Sequence, residues 1–210
     1  TYAQEIAEYQ KPPQEILELV DVPRAPGVLM DDSKENMILL YRDAYKSIEE
    51  LSKEELRLGG LRIDPQTNIG SRVTYYNNVK IKRLDQEDAE VMQVKGLPDN
   101  PKLTNFSWSP DQSKIALTNT TSEGVEAWVL DIPSATVSKV TEASLNANVR
   151  DVLNWFEDGQ SLLVKMVASN RQPLINTKTA VPTGPTISVN DGKKAQNRTY
   201  QDLLKNKNDE

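Results

Sequence analysis

The sequence predicts an all-β chain with minor helical insertions: a partial β-propeller of about three four-stranded blades, not closed. Three observations carry this. The stretch from Asn105 to Leu117 reads as a strand with Phe106 and Trp108, a Ser109-Pro110-Asp111 turn, and a strand with Ile115 and Leu117. Pro presets φ for such a turn and Asp caps it, which makes a β-hairpin signal. The layout recurs from Asn154 to Val164, aromatic first, then an acidic turn, then an apolar strand, and Trp155 follows Trp108 by 47 residues. Four-stranded blades repeat at roughly 40–50 residues. A weaker third copy spans Val28 to Leu40. Three unrelated hairpins of a β-sandwich are the alternative reading.

Composition narrows the function. The net charge is −6 and no basic stretch stands out, which argues against nucleic acid. No apolar run has transmembrane length. The chain has no Cys and no His, so neither a disulfide nor a Ser–His–Asp or Cys–His arrangement can be completed within it. There is no G-x-S-x-G elbow, no P-loop, no G-x-G-x-x-G and no calcium-loop spacing. No cofactor and no metal are expected.

Taken in order, residues 1–27 read as a leader and one short helix. Pro12-Pro13 precede Gln14 to Val20, in which Ile16, Leu19 and Val20 fall at i, i+3, i+4. Pro23 disfavours helix in the residue before it, so the helix stops near Asp21. Beginning at Thr1 rather than Met, the chain reads as processed or cut from a longer one. Residues 28–168 are assigned to the blades. Within them Ser47 and Glu50 form a capping-box pattern, predicting a helix that runs toward Leu58 and stops at Gly59-Gly60. Residues 58–72 read as loop, with three glycines, a proline and an Asx-rich turn. Strands are expected within Val73–Leu84, turning at Asn77-Asn78, and at Val91–Val94. Val125–Asp131 and Ala135–Val140 complete four strands between Leu103 and Val140, and the next blade begins near Val152. Residues 169–210 are an irregular segment and tail, with a short helix capped by Thr199.

Several stretches, in order, resemble one family. They are Tyr9-Gln10-Lys11-Pro12-Pro13, Leu19 to Pro23, Gly60-Leu61-Arg62-Ile63-Asp64-Pro65, Ser71-Arg72, Gly96-Leu97-Pro98, Ser107 to Asp111, Val181 to Pro185 and Arg198 to Leu204. Together they look like the N-terminal part of glutamyl-endopeptidase-like serine peptidases of the prolyl oligopeptidase (S9) group, from about residue 9 to 205. That family joins an N-terminal β-propeller to a C-terminal α/β-hydrolase domain carrying a Ser–Asp–His triad. This chain matches only the first portion of the propeller, so no catalytic residue is carried over.

The resemblance implies a Glu-preferring serine endopeptidase as the parent. This chain would be a non-catalytic piece gating peptide access to the hydrolase domain of the same polypeptide, in a secreted, periplasmic or envelope protein. Its partners would be that domain and peptide substrates. Arg62, Asp64 and Arg72 stand out as substrate or interdomain contacts, because a guanidinium in that loop can bind a carboxylate bidentately. The plainer reading is that Arg62 and Asp64 pair to pin the loop. Trp108 and Trp155, at equivalent repeat positions, read as core. A non-catalytic protein- or carbohydrate-binding β-repeat module is the alternative function. An unclosed array, however, leaves sheet edges that invite pairing with another chain.

Overall fold

The computed structural model describes residues 11–86, 88–172 and 192. The expected leader before residue 11, and most of the segment from 173 with its short helix, lie outside the described residues.

A seven-residue helix, α1 (Gln14–Val20), opens the described chain. Its last turn closes where Asp21 N–H donates to the Leu17 carbonyl. No residue of it is buried, so the apolar stripe Ile16, Leu19 and Val20 faces outward.

Strands β1 (Gly27–Met30) and β2 (Asn36–Tyr41) form the weakest of the three hairpin copies. The chain then leaves the sheet for α2 (Ile48–Ser52), β3 (Leu56–Leu58), β4 (Leu61–Asp64) and β5 (Ile69–Gly70). It returns as β6 (Asn78–Arg83) and β7 (Met92–Gln93), giving an antiparallel sheet in the order β1-β2-β6-β7. A second sheet follows without interruption: β8 (Leu103–Trp108), β9 (Lys114–Thr120), β10 (Val125–Asp131) and β11 (Thr136–Lys139). A hairpin of β12 (Leu153–Trp155) and β13 (Leu162–Val164) comes next. Among the described residues the architecture is an open, mostly β array: two four-stranded antiparallel sheets, a small three-stranded sheet from the inserted segment and a hairpin, the form of a partial propeller.

Two elements differ from the sequence expectation. The capping box at Ser47 and Glu50 is present in both directions, but the helix ends at Ser52 instead of running toward Leu58. Leu56, Arg57 and Leu58 pair instead with Ile63, Arg62 and Leu61. Residues 58–72 accordingly hold parts of a small three-stranded sheet, β3-β4-β5, rather than a loop. Gly59 (φ 54°) and Gly60 (φ 91°) are the two-residue turn of its first hairpin, a left-handed conformation that glycine adopts without a Cβ penalty. The glycines punctuate a sheet that is too short to show a period. Between Val73 and Leu84 there is one strand, and Asn78 begins it instead of turning.

The second sheet sits between two cores. Side chains alternate across a strand, so Ile115 and Leu117 face one way and Ala116 the other. Ile115, Leu117 and Leu130 pack against Ile38, Leu40, Val79 and Ile81 of the first sheet. Ala116, Val125 and Ala127 share a cluster with Ile69, Leu145, Val152 and Leu153. The large faces pack on one side and the small faces on the other, and each core seals one neighbour to the middle sheet. Backbone bonds stitch the seams: Tyr76 and Leu103 exchange N–H···O bonds of 2.9 Å, and Lys95 bonds to the backbone of Ala135 and Val137. Trp108 packs on the first core and Trp155 on the second, both partly buried. The Trp155 indole N–H reaches the Ser107 carbonyl at 3.0 Å.

The three hairpin turns use the same device. Asp111 Oδ1 accepts from Ser109 Oγ at 2.6 Å and Ser113 N–H at 3.2 Å, with Gln112 left-handed at φ 57°. Asp158 Oδ1 accepts from Gln160 and Ser161 N–H, with Gly159 left-handed at φ 60°. Asp31 accepts from the N–H groups of Glu35 and Asn36. Adjacent turns also touch. Asp32 N–H donates to Gln112 Oε1 at 2.6 Å, and Lys114 Nζ donates to Gln160 Oε1 at 3.0 Å.

The two-faced middle sheet makes opposite demands on neighbouring residues. Leu117→Ala is expected to lower stability by about 2–5 kcal/mol through the cavity it leaves. Ala116→Leu, one residue away, is expected to cost about 1–3 kcal/mol by overpacking the small face. Urea midpoints at constant slope measure both.

Candidate functional site

The inserted segment between β2 and β6 gathers the residues singled out in the sequence. At its centre is Glu55, on the short extended stretch between α2 and β3. Its carboxylate is largely covered, 17% exposed, and three guanidinium groups approach its Oε1: Arg57 Nε at 3.0 Å, Arg62 Nη1 at 3.5 Å and Arg72 Nη2 at 3.5 Å. Ser71 Oγ donates to the other oxygen at 2.6 Å. The β3–β4 register sets part of this, because Arg57 and Arg62 are cross-strand partners and bring like charges together. Glu55 offsets that repulsion. The Ser71 hydrogen bond, and then Arg72 and Arg57, hold its carboxyl below the usual range against the opposing effect of burial.

Arg62 and Arg72 therefore meet at one carboxylate. Their exposure differs: the Arg62 side chain is 21% exposed and that of Arg72 69%. Asp64 lies elsewhere. It is buried, its Oδ1 accepts from Gln66 and Thr67 N–H at 2.9 and 3.2 Å, and its Oδ2 stands 4.0 Å from Lys53 Nζ. That Asx turn is what carries the chain from β4 to β5. The turn then reaches across the molecule: Asn68 Nδ2 donates to Asn146 Oδ1 at 2.8 Å, and Ala147 N–H donates to the Asn68 carbonyl. The insertion leaves the first sheet and fastens to the stretch between β11 and β12.

Glu55 was missed by sequence reasoning. It sits in a charged run, Lys53-Glu54-Glu55, that reads as an ordinary solvated helix end. Its pairing with Ser71 and Arg72 spans 16 and 17 residues, and no local pattern announces that.

Three clefts surround the insertion. One, of about 450 Å³, is lined by Lys46, Lys53, Arg57 and Arg72 against Glu50 and Glu55, with Leu51 and Ser71. Cations outnumber carboxylates there, in a chain whose net charge is negative. The exposed heads of Arg57 and Arg72 can receive a carboxylate. Among the described residues no group of three or more Asp or Glu side chains is placed to hold a metal ion, and no helix is long and apolar enough to cross a membrane.

No protein-family model matches the chain. Two relatives, from rice (Oryza sativa subsp. japonica) and Arabidopsis thaliana, are each named probable glutamyl endopeptidase, chloroplastic. Each is 31% identical over 213 residues, covering 96% of this chain and 22% of the relative. The chain thus spans less than a quarter of the length of the curated relatives it matches. It is related in sequence to a segment of peptidases of that name. Among solved structures, the acylaminoacyl peptidase of Pyrococcus horikoshii aligns with 78% of this chain and 20% of its own, at 16% identity and a TM-score of 0.41.

Removing the hub charge has a pH signature. The folded-state pKa of Glu55 is lowered, so its contribution is present above the unfolded value and is lost as pH falls through the folded one. Glu55→Gln is expected to lower the melting temperature by a few degrees at neutral pH. The gap to the parent protein should close in acid, where the parent carboxylate is itself protonated. Calorimetry at a series of pH values reads both.

Proposed function

We propose that the chain is the non-catalytic, N-terminal propeller portion of an S9-type serine peptidase, secreted or held in the cell envelope. In this reading it gates the access of peptides to a C-terminal α/β-hydrolase domain whose residues lie outside this chain. The observation that supports the reading is the 31% identity to glutamyl endopeptidases across 96% of the chain. A chain without histidine cannot complete a Ser–His–Asp triad by itself, which supports the same reading. In a serine peptidase a Ser hydroxyl attacks the scissile carbonyl, a His takes its proton, and an Asp orients the His. None of those steps belongs to the residues described above.

What this portion contributes is steric and electrostatic. An open array of sheets beside a hydrolase domain admits extended peptides and turns away folded chains. The basic cleft at Arg72 would receive a carboxylate of the substrate or of the hydrolase domain, with Arg62 and Glu55 holding the guanidinium cluster in place. Asp64 would act through the turn it caps and not by direct contact.

The test uses the peptidase that contains this sequence. A fluorophosphonate probe is expected to label it outside residues 1–210, and the isolated 210-residue chain is expected to turn over no peptide. Arg72→Ala is expected to raise KM for a peptide cleaved after Glu by about tenfold with kcat little changed, as for lost uniform binding. Turnover by the isolated chain, or no labelling of the longer protein, would overturn the reading.

A further inference from the structure

A different cleft carries an inference that does not depend on the peptidase reading. It lies between the insertion and the end of the middle sheet, has a volume of about 420 Å³, and is bounded by Lys53, Asp64 and Thr67 on one side and by Asn119 to Ser122 on the other. Its wall contains no aliphatic side chain. An apolar ligand would strip water from these groups without replacing their hydrogen bonds. The charges nearly cancel, with Lys46, Lys53 and Lys102 facing Glu49, Glu50, Asp64 and Asp99, so neither a strong anion nor a strong cation is selected.

Two hydroxyls on this wall are buried, those of Thr67 and Thr120, and that of Thr120 faces the Tyr75 phenol. Thr67 is 2% exposed, and its Oγ1 has no hydrogen-bond partner. A buried hydroxyl without a partner costs about 1–3 kcal/mol, which a ligand supplying a donor and an acceptor would recover. Tyr75 presents the aromatic ring of this cleft, and burial pushes its phenol pKa up. The cleft continues into a second, of about 500 Å³, which shares Lys46, Glu49, Tyr75 and Lys102 with it and adds Tyr45 and Tyr76. The groove so formed is lined by ammonium donors, carboxylate acceptors and aromatic rings.

We propose that this groove binds a neutral, hydroxyl-rich ligand of the size of a disaccharide. Each sugar hydroxyl donates and accepts at once, which matches a wall of mixed lysine, carboxylate and threonine. The C–H faces of the rings suit the tyrosines. A peptide is the poorer fit, since the deeper cleft offers no apolar pocket for a side chain.

The test titrates the full chain with maltose, cellobiose and diacetylchitobiose, and with a neutral Ser/Asn tetrapeptide, each followed by NMR amide shifts. At least one disaccharide should bind more tightly than about 10 mM. Thr67→Val should weaken that binding by about tenfold without lowering the melting temperature, because a methyl replaces an unpaired hydroxyl of the same shape. Lys102→Ala, at the rim, should weaken it as well. The proposal is overturned if no saccharide binds below that limit, if only the peptide binds, or if both variants bind like the parent.

Discussion

Burial of the middle sheet on both faces is the constraint on which the rest of the structure depends. A strand buried on both sides presents alternate residues to two different neighbours. In β9, Ile115 and Leu117 belong to one core and Ala116 to the other. The first sheet needs long side chains to fill its seam. The second seam closes over alanines, which lets Ile69 and Leu145 come in close. The insertion attaches to the second of these seams, where its Ile69 is 1% exposed.

The turns keep the seams in register. Each opening hairpin uses a carboxylate to satisfy backbone N–H groups that the turn leaves unpaired. The Ser109 and Ser113 bonds lower the Asp111 carboxyl to about 2, so it stays ionised through any mild acid. Asp158 is lowered likewise, by the Gln160 and Ser161 N–H groups first. Because Gln112 and Lys114 of the middle turn reach the turns on either side, the three hairpins are aligned as one row.

What was legible in the sequence follows from how local each signal is. The turn chemistry at Asp111 and Asp158 is complete within five residues, and the strands on either side of the first turn place Phe106 and Trp108, then Ile115 and Leu117, at alternate positions. The small sheet was not legible, since strands of three, four and two residues show no period and their glycines resemble those of a loop. At the candidate site, Arg62 and Arg72 stood out by type and position, and the fold brings both to Glu55. The carboxylate itself could not be seen, because its partners are fixed by the β3–β4 pairing and not by spacing. Asp64 was singled out as a contact, and it serves first as a turn cap.

The insertion links these two levels. It is anchored at Asn146 and Ala147 by long-range bonds, so the guanidinium cluster and the polar groove both rest on the second core rather than on a free loop. Native-state hydrogen exchange on the full chain tests this dependence most directly. Amides of β9 and β10 are expected to exchange slowest, and β4–β5 amides near Asn68 to become fast when Leu145→Ala weakens the second core. Unchanged protection in β4 and β5 in that variant, or β9 exchanging no more slowly than the outer hairpins, would contradict it.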